Sequence, residues 1–184
     1  MDLVVGIDEV GRGCWAGPLV AGAVLLNQPI SGLKDSKKLS AKRRQELAEV
    51  IKQTATYGLG WVTPSEVDNL GLTAAVALAM GRAIQQITVA YDSIIIDGDY
   101  NFLPNYNSAS TLVKADDLIP AVSAASILAK VARDYYMVLA SKKYPGYGFE
   151  KHVGYGTKQH SLALAELGVT PLHRKSYKPI KAYL

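Results

Sequence analysis

The sequence is poor in the residues that build covalent or thiolate-metal frameworks. Cys14 is the only cysteine among 184 residues, so no intramolecular disulfide can form. Cysteine usage therefore gives no support to secretion. The three histidines have no partners at zinc-site spacing, and one cysteine forbids a cysteine-rich zinc site. Structural or phosphate-contacting roles remain for them. No apolar run reaches roughly the 18 residues of a membrane span. Asp2 and Asp8 stand where a secretory signal would carry basic residues before an apolar stretch. A cytoplasmic location without membrane attachment is the expectation. Low-complexity tracts, internal repeats and Pro/Gly/Ser-rich linkers are missing too, so nothing divides the chain into independent domains.

What is present suits one folded unit spanning residues 1–184. Hydrophobic residues make up 49% and charged residues 20%, close to the globular average. Net charge is +4, unevenly placed. Residues 34–52 carry seven Lys or Arg against three acids, and residues 140–184 carry eight against two. The rest of the chain is thus net acidic. An acidic centre with basic flanks fits a protein that binds a polyanion while holding divalent cations among carboxylates.

Residues 3–8 form a β-branched run stopped by Gly11-Arg12-Gly13, and residues 18–26 form a second apolar run after Pro18. Both read as strands joined by a tight turn. Ser40 is placed to cap a helix through about Gln53, and residues 57–62 read as a strand. Thr63-Pro64-Ser65-Glu66 has the form of a capping box with proline at the first helical position. A buried, Ala-rich helix is expected over 73–87, a strand over 93–97, a short edge strand over 111–114 and a long helix over 121–143. A Pro/Gly/Tyr-rich segment, 144–157, then leads to a short helix near 161–167 and a basic tail. The expected class is α/β: a mixed central sheet flanked by helices, with 144–184 as a small C-terminal helical subregion that contacts substrate.

Two acids close strands, Asp8 after Val4-Val5-Gly6-Ile7 and Asp97 after Ile94-Ile95-Ile96, while Asp116 follows the edge-strand candidate. If those strands are neighbours, the three carboxylates converge at one sheet edge and Glu9 joins from the turn. Such a cluster repels itself unless it shares protons or holds cations, and hard oxygen donors select Mg²⁺ or Mn²⁺. Taken singly, an acid after a strand is more often a solvated loop residue. The adjoining Gly11-Arg12-Gly13 changes the balance, because two residues without Cβ let backbone approach a ligand beside the acids.

The stretch Gly6-Ile7-Asp8-Glu9-Val10-Gly11-Arg12-Gly13 with Ala16-Gly17-Pro18 resembles the opening signature of the ribonuclease HII family. Further stretches agree in order: Lys34-Asp35-Ser36-Lys37-Lys38-Leu39, Ile96-Asp97-Gly98, and the helix from Ser123-Ala124-Ala125-Ser126 to Arg133-Asp134. Tyr147-Gly148-Phe149, His152, Gly154-Tyr155-Gly156-Thr157, His160 and His173-Arg174-Lys175-Ser176-Tyr177 complete the set. The resemblance implies a ribonuclease-H-like fold and a catalytic, metal-binding quartet of Asp8, Glu9, Asp97 and Asp116. Asp116 is chosen over its neighbour Asp117 by spacing to the Ser-Ala-Ala-Ser block, and Asp117 stays as the second choice. Ala115 stands where the family usually has glycine.

The same resemblance implies that Gly11, Arg12 and Gly13 read the ribonucleotide, that Tyr155 stacks on the adjoining sugar, and that Lys37 engages backbone phosphate. Only the 2′-hydroxyl tells RNA from DNA at a site, so a close backbone is a suitable reader. Lys130 and Arg133 lie on one helix face, either as phosphate contacts or as solvated charge. Cys14-Trp15 departs from the family's usual small or aliphatic residues, and Trp15 either packs or touches substrate. The implied reaction is two-metal hydrolysis on the 5′ side of a ribonucleotide, in duplex DNA or in the RNA strand of an RNA–DNA hybrid. It leaves 3′-hydroxyl and 5′-phosphate ends and serves ribonucleotide removal from DNA. No organic cofactor is needed, and a monomer is expected. The rivals are a ribonuclease-H-like nuclease preferring long hybrids and a non-catalytic nucleic-acid-binding module.

Overall fold

A computed structural model describes residues 2–34 and 36–184; Asp35, in the Lys34 to Leu39 stretch, lies outside the described residues. The sheet is mixed and five-stranded. Strand β1 (Val4–Val10) pairs antiparallel with β2 (Leu19–Leu26), which pairs antiparallel with β3 (Ala55–Val62). On its other side β1 runs parallel to β4 (Ser93–Asp97), and β4 runs parallel to the edge strand β5 (Ala109–Leu112). The β1/β4 pairing places Ile7 opposite Ile96, so Asp8 and Asp97 follow side by side.

Strand alternation sends β1 side chains to two different layers. Val5 and Ile7 enter the core that also holds α3 (Leu72–Ile84), through Val76, Ala79, Met80 and Ala83. Gly6 and Asp8 face the opposite side, where α5 (Pro120–Lys143) crosses the sheet. A Cβ at Gly6 would collide with the backbone of Ala121 and Val122, and one at Gly22 would come within 2.5 Å of the Ala125 carbonyl oxygen. These glycines let α5 lie close against β1 and β2. That close approach brings the N-terminal half of α5 up to Asp8. Helix α1 (Ala41–Thr54) packs beside α5, with Leu47, Ala48 and Ile51 against Ala124, Ile127 and Leu128.

Local signals set several boundaries. Ser40 caps α1 by accepting from the Arg43 N–H, and Thr63 and Glu66 close a reciprocal capping box on α2 (Pro64–Leu70). Beyond β5, Lys114 takes a left-handed backbone (φ 60°) and the chain enters the short helix α4 (Ala115–Leu118). Asp116 therefore lies in a helical turn, not in a loop after a strand. Ala115 keeps ordinary helical geometry, because the strained position falls one residue earlier.

The C-terminal elements are α6 (Phe149–His152), α7 (Lys158–Leu167) and α8 (Lys178–Lys181). They gather around the far half of α5 through Met137, Ala140, Tyr147, Phe149, Leu164 and Ile180. A bridge between Ala16 and His173 ties this layer to the turn after β1. Among the described residues, no helix is long and apolar enough to cross a membrane.

Candidate active site

Asp8, Asp97 and Asp116 offer carboxylate oxygens that all lie within 4.8 Å of one another. Three chain segments meet there. Strands β1 and β4 bring the first two side by side, and α4 carries the third across from the end of β5. The turn is fixed by the acids themselves: Asp97 Oδ1 accepts from the Ala115 N–H at 2.8 Å, and the Ser123 hydroxyl donates to the Asp116 carbonyl at 2.6 Å. Asp117 points elsewhere and pairs with Lys38 Nζ at 2.6 Å. The geometry thus separates the two adjacent acids that spacing alone had to rank.

Burial governs the electrostatics. Asp8 is pushed up to about 8, first by desolvation and then by the charges of Glu9 and Asp97, with the Ser126 hydroxyl bond opposing. Glu9 is also raised by burial, against the lowering effect of the Arg12 guanidinium 3.2 Å from its carboxylate. A buried set of carboxylates that retains a proton near neutrality has the chemistry of a hard-cation site, where a divalent ion would replace that proton. Every donor is a carboxylate oxygen, which fits magnesium, manganese or calcium and not a thiolate- or imidazole-seeking metal.

A cleft of about 350 Å³ opens beside the acids and is lined by Asp8, Glu9, Asp97, Gly11, Arg12, Gly13, Lys37 and Tyr155. Of the nine residues assigned to the metal and substrate sites from sequence, all but Asp116 border one opening, and Asp116 adjoins it through the carboxylate cluster. The turn shows why its two glycines differ. Gly11 has φ 95°, and a Cβ there would press on Arg133 Nε, so the fold itself demands glycine. At Gly13 the backbone is ordinary and an added Cβ meets nothing within 4 Å. The missing side chain there is not explained by packing and leaves space facing outward.

Of the polar cleft residues beyond those assigned to the site from sequence, Lys130 already stood as a candidate phosphate contact, whereas Ser36 and Ser126 did not stand out. Ser126 bonds Ser36 at 2.9 Å and also Asp8, forming a short polar chain behind the cluster. The available signal was the spacing of Ser126 and Lys130, one turn apart on an otherwise Ala-rich helix face. Arg133 fits neither reading considered for it. It is fully buried and donates to the carbonyls of Pro18 (2.8 Å), Val153 (2.9 Å) and Ala16 (3.1 Å), holding the strand-to-turn segment in place. Trp15 packs: its ring lies against Gly156 and His160, and Cys14 is buried behind it. All three histidines are buried and internally bonded.

Strand β1 runs on to Val10, so Asp8 and Glu9 lie inside it, paired with Gly22 and Ala21, and not at its end or in the turn. A mixed five-stranded sheet with one acid within β1, a second closing the adjacent parallel β4 and a third on a following helical turn has the architecture of a ribonuclease-H-like hydrolase, with a carboxylate cluster of metal-binding geometry. The family profile described as Ribonuclease HII matches residues 5–180. The chain is similar to Ribonuclease HII of Shewanella sp. (strain W3-18-1), at 47% identity over 189 residues covering 99% of this chain and 90% of the relative. It is also similar to the crystal structure of ribonuclease H2 from Pyrococcus horikoshii OT3, with TM-score 0.85, 27% identity and coverage of 98% and 96% of the two chains. The fold further matches that of Bst-RNase HIII in complex with Mn²⁺, at TM-score 0.77, 20% identity and coverage of 97% of this chain and 68% of that one. The chain belongs to the ribonuclease HII family and is a ribonuclease H-type endonuclease.

Proposed function

We propose that the chain cuts the phosphodiester on the 5′ side of a ribonucleotide embedded in duplex DNA, and the RNA strand of RNA–DNA hybrids, leaving 3′-hydroxyl and 5′-phosphate ends. The observation that carries this reading is the one cleft shared by Asp8, Glu9, Asp97, the Gly11-Arg12-Gly13 turn and Tyr155. Asp8, Glu9, Asp97 and Asp116 are the residues assigned to hold the cations, Mg²⁺ or Mn²⁺ and two per site. Bound there, the ions supply an activated water and neutralise charge on the departing 3′-oxygen.

The chain's own groups do the rest. Asp8 gives up its proton when the site is loaded, and Ser126 keeps its carboxylate oriented. Gly11 and Gly13 bring backbone N–H and C=O groups within reach of a 2′-hydroxyl, the group that separates RNA from DNA. Tyr155, partly exposed at the cleft, offers a ring face to the neighbouring deoxyribose. Lys37, Lys130 and Arg12 neutralise backbone phosphates, which makes binding salt-dependent and largely indifferent to base sequence. Residues 144–184 act within the same domain as the subregion that presents Tyr155. A monomer working in the cytoplasm completes the reading, with ribonucleotide removal from DNA as its role.

Paired substrates test the specificity. A duplex with one ribonucleotide is cut at its 5′ side, and the same duplex with deoxyribose at that position is left intact. Equal cutting of both would make the protein a general nuclease.

A further inference from the structure

The three histidines are buried, with His160 and His173 at 0% and 1% exposure and His152 at 8%. The metal chemistry uses none of them. Their hydrogen bonds nevertheless fix a definite protonation pattern. The Thr170 N–H donates to His173 Nδ1 at 2.8 Å, so that nitrogen carries no proton. In the neutral ring the proton then sits on Nε2, which donates to His160 Nε2 at 3.0 Å. His160 is left with its proton on Nδ1, and that N–H donates to the Tyr155 carbonyl at 3.0 Å. His152 follows the same logic: its Nδ1 accepts from the Gly154 N–H at 3.2 Å and its Nε2 donates to the Tyr147 carbonyl at 2.8 Å.

We propose that His160 is a positioning residue for Tyr155, the terminal donor of a directional relay from Thr170 through His173 that sets where the tyrosine stands in the cleft. Two further features agree. The relay is one-way: every nitrogen is committed, and a second proton on either ring would set donor against donor. Burial supports this by holding His160 and His173 neutral, each pushed down to about 4. The segment is also pinned from the other side, since Trp15 and Ala16 N–H groups donate to the Gly154 carbonyl at 2.8 and 3.2 Å and the Tyr155 hydroxyl bonds Cys14. Among the described residues, the carbonyl that His160 holds otherwise accepts only from the Thr157 N–H, at 3.0 Å. Without His160 the peptide between Tyr155 and Gly156 is freer to rotate, and the backbone that carries the Tyr155 ring loses one of its anchors, leaving the ring to its contacts with Arg133 and Cys14.

This inference rests on the assignment of Tyr155 to the sugar next to the ribonucleotide. The test compares His160→Asn, His160→Gln and Tyr155→Ala, singly and with Tyr155→Ala combined with each His160 change. Cleavage of a duplex carrying one ribonucleotide is followed in saturating Mg²⁺. An Asn amide nitrogen stands the same number of bonds from Cα as His Nδ1, so H160N keeps the donor to Tyr155; H160Q places its amide toward His173 instead. H160N is expected to keep KM within about twofold of wild type, while H160Q raises KM about tenfold or more with a smaller change in kcat, the scale of a misplaced positioning contact. In the Tyr155→Ala background H160N and H160Q are expected to differ by less than about twofold, because no ring is left to place. Equal losses in H160N and H160Q, or an undiminished H160Q effect when Tyr155 is already alanine, overturn the positioning role. Should H160Q not fold, H160N still decides: a tenfold rise in its KM overturns the proposal, and a retained KM despite a lowered melting temperature supports it. Wild-type cleavage by Tyr155→Ala alone refutes instead the assignment of Tyr155 on which the inference rests.

Discussion

Metal loading of this site must compete with a proton, and the size of that competition follows from Asp8. Burial first, and the neighbouring charges of Glu9 and Asp97 second, hold its carboxyl at about 8 against an ordinary value of 3.8. At pH 7 only about a tenth of metal-free molecules then carry Asp8 ionised, and at pH 6 about a hundredth. Each binding event at pH 6–7 therefore releases close to one proton from this residue. The apparent Mg²⁺ affinity should rise about tenfold from pH 6 to pH 7, and only about twofold from pH 8 to pH 9, where Asp8 is already ionised. Isothermal titration calorimetry in buffers of different ionisation enthalpy reads both the affinity and the protons released.

The same proton has a stability consequence of opposite sign. Asp8 binds its proton more tightly folded than unfolded, so the metal-free protein is most stable below about pH 4 with respect to this group and loses that contribution as pH rises toward 8. Asp8→Asn removes both slopes: it weakens metal binding at every pH and flattens the metal-free stability curve. An Mg²⁺ affinity that does not change between pH 6 and pH 8, with no proton release, would refute the reasoning.

Other outcomes follow from the same geometry. Asp97→Asn keeps an oxygen acceptor for the Ala115 N–H, so it should fold like the parent yet lose at least about a hundredfold in cleavage, read by circular dichroism and a strand-cutting assay. Gly13→Ala should leave the melting temperature unchanged, because its Cβ meets nothing within 4 Å, while slowing cleavage at a ribonucleotide; Gly11→Ala, with φ 95°, should lower both. Arg133→Met strips the donors from the carbonyls of Pro18, Val153 and Ala16 and should cost roughly 3 kcal/mol or more in urea denaturation. His160 and His173 are held at about 4, below their ordinary 6.5, so their contribution to stability is whole above pH 6.5 and is lost as pH falls toward 4. Denaturation midpoints at pH 7 and pH 4.5 measure that loss.

Much of this fold was legible because its signals are local. Ser40 and the Thr63-to-Glu66 box each act through side-chain bonds within three residues, and both caps form where the sequence puts them. The β-branched runs at 4–7 and 94–96 likewise yielded adjacent strands, which brought Asp8 and Asp97 together. The misplacements come from tertiary choices. The edge strand lies at Ala109–Leu112 rather than two residues later, because a left-handed Lys114 redirects the chain into α4. Helices α6 and α8 are four residues each, too short to show periodicity. Arg133 was unreadable for a different reason: a residue three positions from Lys130 is displaced around the helix, enough to send one side chain into the cleft and the other beneath the glycine turn. The roles of Ser36 and Ser126 depend on two segments ninety residues apart, which no spacing in the chain reveals.

The most direct measurement is the mapped cleavage of a DNA duplex carrying a single ribonucleotide, with Mg²⁺ or Mn²⁺ and with a chelator. The expected result is one cut, on the 5′ side of the ribonucleotide, leaving a 3′-hydroxyl, and none once the metal is removed or Asp97 is replaced by asparagine. Cutting that persists in chelator, survives in the Asp97→Asn variant or falls at positions unrelated to the ribonucleotide would contradict it.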